Sequence, residues 1–218
     1  MQLKILSWNI WFHGNLEKVN EFLEKSNADI LGLQEVMMVD EKIRLSNSFI
    51  NESGYKYVYA PAFEYPINGV PTNIGNAVFS KYAITFQKIH NLSEEENRVA
   101  VQADVQVGDK ILHIFNTHLF HTHQQPSELQ DTQATNLVKV LTTENTILLG
   151  DFNALSQSNA IKIINSVLKN TDVNSLPTWS VYPEGCKTCL PKGIIYKLDS
   201  IFTSQDLKSS SFNVEHSK

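Results

Sequence analysis

The sequence predicts a β-rich α/β sandwich, two packed mixed sheets flanked by helices, and three observations carry that prediction. Short apolar runs of strand length fill the middle of the chain, segments of helical periodicity lie towards both ends, and no linker rich in Pro, Gly or Ser divides them. With 218 residues, 42% of them apolar, the chain can bury one substantial core, so a single domain over residues 1–218 is expected.

Residues 2–9 read as a buried strand, and Leu16, Val19, Phe22 and Leu23 follow at the spacing of three and four that marks one face of a helix. Residues 28–34 form a second apolar strand, and 41–51 a second helix. Strand-like runs then occupy 55–60, 76–79, 84–89, 98–107 and 111–117, with Gly108-Asp109 turning the last two into a hairpin. A helix over 127–141, an apolar strand over 146–149, a helix over 158–168 and a strand over 194–202 come next. Residues 210–214 read as one further strand.

Composition narrows the function. Eighteen Lys and Arg against 23 Asp and Glu leave a net charge of −5, which argues against a protein that coats nucleic acid. It does not argue against an enzyme acting on phosphodiesters, because a bound divalent cation supplies positive charge where the phosphate sits. Met1 runs straight into Leu3-Lys4-Ile5-Leu6 without a secretion signal, and no apolar run approaches the roughly 18 residues of a membrane span. A cytoplasmic protein without membrane insertion is expected. Cys186 and Cys189 form a lone Cys-x-x-Cys pair, two ligands short of a structural zinc site, and read as reduced thiols in a loop.

Five polar spots fall at strand ends, where an α/β fold gathers its chemistry. Ser7-Trp8-Asn9 closes the first strand, Gln34-Glu35-Val36 the second, Asn116-Thr117-His118 a middle one and Gly150-Asp151-Phe152-Asn153 a late one, while Leu198-Asp199 lies in the last clear strand. Singly each has a plain structural reading: a carboxylate after a strand is commonly a turn residue or helix cap, and Asp151 could cap the helix near Ser158. His118, His121 and His123 invite a zinc reading, but the last two fall in a loop before Pro126 with no evident carboxylate partner, and a solvated loop is the plainer reading. Trp8, Trp11 and Phe12 could stack bases, yet aromatics beside a buried strand more often fill a core; Trp11 and Phe12 are placed at the rim of the site.

Taken in order with Gly75-Asn76-Ala77-Val78-Phe79-Ser80-Lys81 and Lys197-Leu198-Asp199-Ser200-Ile201-Phe202, these segments resemble the endonuclease/exonuclease/phosphatase superfamily from residue 3 to about 203. The resemblance implies a four-layer α/β sandwich with its site at one edge of the paired sheets. It implies a hydrolase of phosphate esters dependent on Mg²⁺ or Mn²⁺, with Glu35 and Asn9 as metal ligands, His118 touching phosphate, Asp151 and Asn153 positioning the attacking water, and Asp199 orienting a catalytic histidine. Hard carboxylate and amide oxygens suit those ions. A phosphate-ester substrate, nucleic acid among the candidates, and a monomer are the expected partner and state.

The family's Ser-Asp-His segment is not found; the chain reads Phe212-Asn213-Val214-Glu215-His216-Ser217-Lys218 where it would begin. Loss of the last strand is the simplest expectation, with Glu215-His216 as a substitute pair the next. The alternative function is a non-catalytic protein that keeps the phosphate pocket. Trp179, in Pro177-Thr178-Trp179, is a candidate for a loop bordering the site.

Overall fold

A computed structural model describes residues 2–46, 48–172, 174–178 and 196–215. In chain order its elements are β1 (Ile5–Asn9), α1 (Leu16–Ser26), β2 (Ile30–Val39), β3 (Lys42–Ile43), β4 (Lys56–Glu64), β5 (Asn73–Ser80), β6 (Ile84–Asn91), β7 (Val99–Val107), β8 (Lys110–His118), α2 (Glu128–Val140), β9 (Thr146–Asp151), α3 (Asn159–Asn165), β10 (Lys169–Asn170) and β11 (Asp199–Thr203). The strands form two sheets, β1-β2-β5-β4 with β3 on β2, and β10-β11-β9-β8-β7-β6. Among the described residues only β1–β2 and β8–β9 pair in parallel and the other strand pairs are antiparallel, so both sheets are mixed, as expected.

Alternation along the strands builds the layers. On β2, Ile30 faces the second sheet, where it meets Ile114 and Leu149, while Leu31 and Leu33 face outward onto Val19 and Leu23 of α1. On the second sheet Phe115, Leu148 and Phe202 face outward onto Ala134 and Leu137 of α2 and Ile161 and Ile164 of α3. The result is helix, sheet, sheet, helix: the expected four layers. Full burial of Leu23 removes it from water and stabilises α1 against the sheet by about 1.5–3 kcal/mol. Helix starts are capped by side-chain oxygens, Asn15 for α1, Ser127 for α2 and Ser158 for α3. Ser158, not Asp151, is therefore the cap of α3; Asp151 ends β9.

Two expected elements differ. Residues 41–51 are not one helix. Asp40 and Glu41 take positive φ of 48° and 60°, a tight turn that pairs Val39 with Lys42, and only Ser48–Glu52 winds, as a short π-helix. Ile43, Leu45 and Phe49 are buried against α1's sheet from this irregular path, so apolar content without a cap signal imitated a helix. Residues 210–214 form no strand; Phe212 instead rests its ring 5.8 Å from Lys197 Nζ. Part of 194–202 also lies outside the described residues, and its strand is Asp199–Thr203. Cys186, Cys189, Trp179 and His216 lie outside the described residues as well.

The sheets are fastened to each other by amides. Asn116 on β8 donates through Nδ2 to Leu33 O and Ala77 O of the first sheet, both at 2.9 Å, and its Oδ1 accepts from Gln34 Nε2 at 2.6 Å. Asn76 on β5 reaches the other way, to Val99 O at 3.0 Å. Such close approach needs Gly32: a Cβ there would lie 2.8 Å from Leu149 Cβ and 3.1 Å from Asn116 Cγ. Among the described residues no helix is long and apolar enough to cross a membrane.

Candidate active site

Strand register lines up the acidic residues. His118, Asp151 and Asp199 lie opposite one another across β8, β9 and β11, the last positions at which those strands pair. Facing them on the first sheet, Asn9 ends β1 opposite Gln34, and Glu35 follows on β2. The parallel β1–β2 and β8–β9 pairs end on the same side, so the apolar strands of both sheets deliver their polar ends to one place.

A bulge aims Glu35. Pairing of β2 with β5 shifts between Leu33 and Val36, and Glu35 sits at φ 58°, a left-handed conformation unfavourable for a non-glycine residue. Gln34 therefore turns into the sandwich, fully buried, while its neighbour turns out to the site. Trp11 at φ 50° and Asn153 at φ 48° carry the same kind of strain at the same site.

Asn9 joins the two sheets: its Nδ2 donates to Glu35 Oε1 at 2.9 Å and to Asp151 Oδ2 at 3.0 Å, while its Oδ1 accepts from Trp11 N at 2.9 Å. Glu35 Oε2 accepts from Phe12 N at 3.2 Å, and Asp151 Oδ1 from Asn153 N at 2.9 Å. Asn153 donates through Nδ2 to His118 Nε2 at 2.8 Å and to Leu119 O at 3.1 Å, and accepts at Oδ1 from His121 Nδ1 at 2.8 Å. His118 Nε2 also lies 3.7 Å from Asp151 Oδ2. All six candidate residues thus belong to one cluster, although Asn9 presents its nitrogen, not its oxygen, to the two carboxylates.

Supporting shells come from outside the strands. Gln130 of α2 donates to Phe120 O, Phe152 O and Asn153 O at 2.9, 3.2 and 3.1 Å, and Gln133 accepts from Phe120 N at 2.9 Å, so one helix fixes the loops after β8 and β9. Asp199 Oδ2 accepts from Thr178 Oγ1 at 2.7 Å. The backbone before Asp199 is pinned by a buried ion pair, Lys197 Nζ to Asp172 Oδ2 at 2.8 Å. Burial raises the Asp172 pKa, but the bond and charge of Lys197 and the amides of Leu176 and Asn174 prevail and hold it below the usual carboxylate value.

Electrostatics follow from the row. Burial first, and the Asp151 charge opposite it second, push Asp199 up to about 8, against the Thr178 bond. Burial lowers the His118 pKa in spite of Asp151, so its imidazole is held neutral. Arg98, at the entrance to β7, was legible in the sequence only as the first residue of a strand. Its Nε is buried without a hydrogen-bond partner, and Asp151, Glu35 and Glu96 oppose the lowering of its pKa by burial. One signal could have found it: the chain has only two arginines, and this one follows Glu94-Glu95-Glu96-Asn97 at the entrance to a strand. His121, read as a solvated loop residue, instead holds Asn153 and reaches His123 Nδ1 at 3.2 Å from its Nε2.

A divalent cation can be tested against this donor set. Among the described residues no three His, Cys, Asp or Glu side chains converge as a ligand cage. Glu35 and Asp151 do converge, within hydrogen-bond distance of one amide nitrogen that stands between them as a partial positive charge. Two carboxylates fit Mg²⁺ or Mn²⁺, which complete their shells with waters, and are too few for a closed zinc site.

A family model described as "Endonuclease/Exonuclease/phosphatase family" matches residues 6–213. Among solved structures, the human Nocturnin catalytic domain with bound sulfate is similar at TM-score 0.69 and 20% identity, over 97% of this chain and 88% of that one. A mannosyl-6-phosphatase of Bacteroides thetaiotaomicron is similar at TM-score 0.65 and 16% identity, over 94% and 86%. Truncated Caenorhabditis elegans TDP2 is similar at 0.66 and 17%, over 93% and 84%. At such identities the likeness establishes the fold. No curated protein matches the sequence.

Proposed function

The chain belongs to the endonuclease/exonuclease/phosphatase family, and from that premise we propose that it hydrolyses a phosphate mono- or diester with Mg²⁺ or Mn²⁺ held by Glu35 and Asp151 beside Asn9. The observation that carries the reading is the meeting of Glu35 and Asp151, from different sheets, on the single Asn9 amide. Like charges brought that close serve no packing purpose and are stabilised by a cation. When bound, the ion offsets charge on the phosphate oxygens and lowers the pKa of a coordinated water.

The chain's own residues supply the rest. In-line attack forms a bond from water oxygen to phosphorus and breaks the bond to the leaving oxygen, so one proton must be taken and one given. Asp151, its two oxygens fixed by Asn9 Nδ2 and Asn153 N, is placed to accept the water's proton. Asp199, opposite Asp151 and fixed by Thr178 Oγ1, is the carboxyl from which the leaving oxygen can receive a proton. The unpartnered Nε of Arg98 is a donor available to a non-bridging oxygen, and it needs no reorganisation as charge develops there. Neutral His118, oriented by Asn153, completes the phosphate wall.

The test is turnover of bis-p-nitrophenyl phosphate and of a short DNA with Mg²⁺, Mn²⁺ or a chelator, for the wild type and for Glu35→Ala and Arg98→Ala. Metal-dependent turnover lost in Glu35→Ala supports the proposal. Turnover that survives both chelation and Glu35→Ala sinks it.

A further inference from the structure

Beside the acidic row, three separate pieces of chain bring aromatic rings together. The turn after β1 contributes Trp11, Phe12 and His13; the end of β4 contributes Phe63 and Tyr65; the start of β7 contributes Arg98. Phe12 is the hub, with ring centroids 4.1 Å from His13, 5.4 Å from Tyr65 and 6.3 Å from Phe63. His13 meets Tyr65 edge to face at 5.7 Å and Trp11 at 6.2 Å, and the Arg98 guanidinium lies 5.9 Å from the Phe63 ring.

This cluster is not a core. Trp11 is 40% exposed and Tyr65 43%, whereas the aromatic residues that fill the sandwich, Phe49, Phe79, Phe115, Phe152 and Phe202, are entirely covered. Nor is it a loose surface loop. Gly14 N donates to Trp11 O to close the turn, and a Cβ at Gly14 would lie 2.8 Å from that same oxygen. The shelf is bonded to the acidic row through its backbone: Trp11 N to Asn9 Oδ1 and Phe12 N to Glu35 Oε2. Exposed rings, held by backbone bonds to Asn9 and to the proposed metal ligand Glu35, cost exposure of apolar surface that a bound group would recover.

We propose that this shelf stacks the nucleobase of a nucleotide whose phosphate lies on the acidic row, making the substrate a nucleotidyl ester. The inference rests on the phosphoesterase reading and deepens it by naming the substrate class. A base offers two flat π faces, which suit an array of tilted and edge-on rings with a cation at one end. A sugar or inositol ring could meet these rings only through a C–H face, without the flat π surface that a base offers. The net charge of −5 argues against a long polyanion wrapped on the surface, so the contact is local to the scissile phosphate.

The experiment is calorimetric titration in Mg²⁺ buffer with adenosine monophosphate, ribose 5-phosphate, O-phosphotyrosine and adenosine, on the wild type, Trp11→Ala, Tyr65→Ala and Trp11→Phe. Expected is tighter binding of adenosine monophosphate than of ribose 5-phosphate by roughly 5- to 100-fold, the range for stacking one base. Trp11→Ala and Tyr65→Ala should each remove much of that ratio while leaving ribose 5-phosphate unchanged, and Trp11→Phe should retain it. Equal affinity for the two phosphates, or alanine variants that weaken both alike, overturns the shelf. Tighter binding of O-phosphotyrosine than of adenosine monophosphate also overturns it, by reassigning the rings to aryl phosphates. Adenosine carries no phosphate, so its Trp11-dependent binding reads the shelf even if ribose 5-phosphate does not bind and the phosphoesterase reading fails.

Discussion

Gln34 and Glu35 are neighbours on β2, yet they join two opposite kinds of polar cluster. Gln34 turns inward to Asn116, whose amide nitrogen spans Leu33 O and Ala77 O; both side-chain amide nitrogens meet protein acceptors, and Gln34 Oε1 alone of the pair's amide atoms has no partner. Glu35 turns outward to a cluster in which carboxylates face one another, the Arg98 Nε has no partner, and Asp199 stands opposite Asp151. The difference separates structure from chemistry within a few ångströms of the same strand end. A buried network of neutral amides bonded across the sheets holds the fold, and one in which like charges converge is held by the fold at a cost in stability, ready for something the chain does not itself contain.

The largest effect should break the second cluster. Glu35→Gln keeps the shape and removes one of the two converging charges, so phosphodiester turnover should fall by about 10²–10⁴ or more. Thermal stability without metal should hold or rise, because repulsion with Asp151 is relieved. Steady-state kinetics and a melting curve on the same preparation check both halves; a lower melting temperature with activity intact would reverse the assignment.

A satisfied pair should behave the other way. Lys197 and Asp172 are 5% and 1% exposed at their side chains, and Asp172 also accepts from the amides of Asn174 and Leu176. Lys197→Met leaves a buried carboxylate without its cation and should cost about 3–5 kcal/mol in urea denaturation. Leu198 and Asp199 follow Lys197 directly, so partial loss of turnover should accompany the instability and be recovered in part under stabilising osmolyte. A change below 1 kcal/mol would mean that the pair does not fix this segment.

Asn116→Leu comes next. It strands Leu33 O and Ala77 O inside the sandwich, where each unsatisfied carbonyl costs about 1–3 kcal/mol, and a loss of about 2–4 kcal/mol is expected by the same denaturation. Because Leu33 O borders the bulge that aims Glu35, metal-dependent turnover should fall with it, whereas a substitution at an equally buried apolar position far from the bulge, such as Leu137→Ala on α2, should lose stability and keep its turnover per folded molecule.

How legible these two clusters are in the sequence differs for a physical reason. Apolar periodicity marks the strands, and Asn9, Glu35, His118, Asp151, Asn153 and Asp199 stand out because each interrupts or ends an apolar run; the fold brings all six together. What periodicity cannot reveal is direction. That Asn116 is a staple between sheets, that Gln34 turns inward, and that Asn9 offers its nitrogen depend on a bulge and on register between strands far apart in sequence. Arg98, His121 and Gln130 are hidden likewise, since a strand start, a loop and a helix face gain meaning only once long-range pairing places them beside Asn153 and Asp151. The false helix over 41–51 has a local cause: Asp40 and Glu41 make a positive-φ turn without the glycine that would announce it.

The smallest expected effect sharpens the comparison by isolating one proton. Asp199 is raised to about 8 in the folded chain, against about 4 in an unfolded one, so between those values the folded state holds the extra proton. Its contribution to stability is therefore full below pH about 4 and is lost as the pH rises through 8. His118 has the opposite sign: its lowered folded pKa makes stability rise with pH, but only up to its unfolded value of about 6.5, above which both states are neutral. Between pH 6.5 and 8 the Asp199 slope stands alone among the shifted carboxylates and imidazoles. Stability in chelator should fall across that window, no more steeply than about 1.4 kcal/mol per pH unit, the limit for one proton. Asp199→Asn should flatten the slope. A slope that survives Asp199→Asn would place the proton on another group and remove Asp199 as the donor to the leaving oxygen.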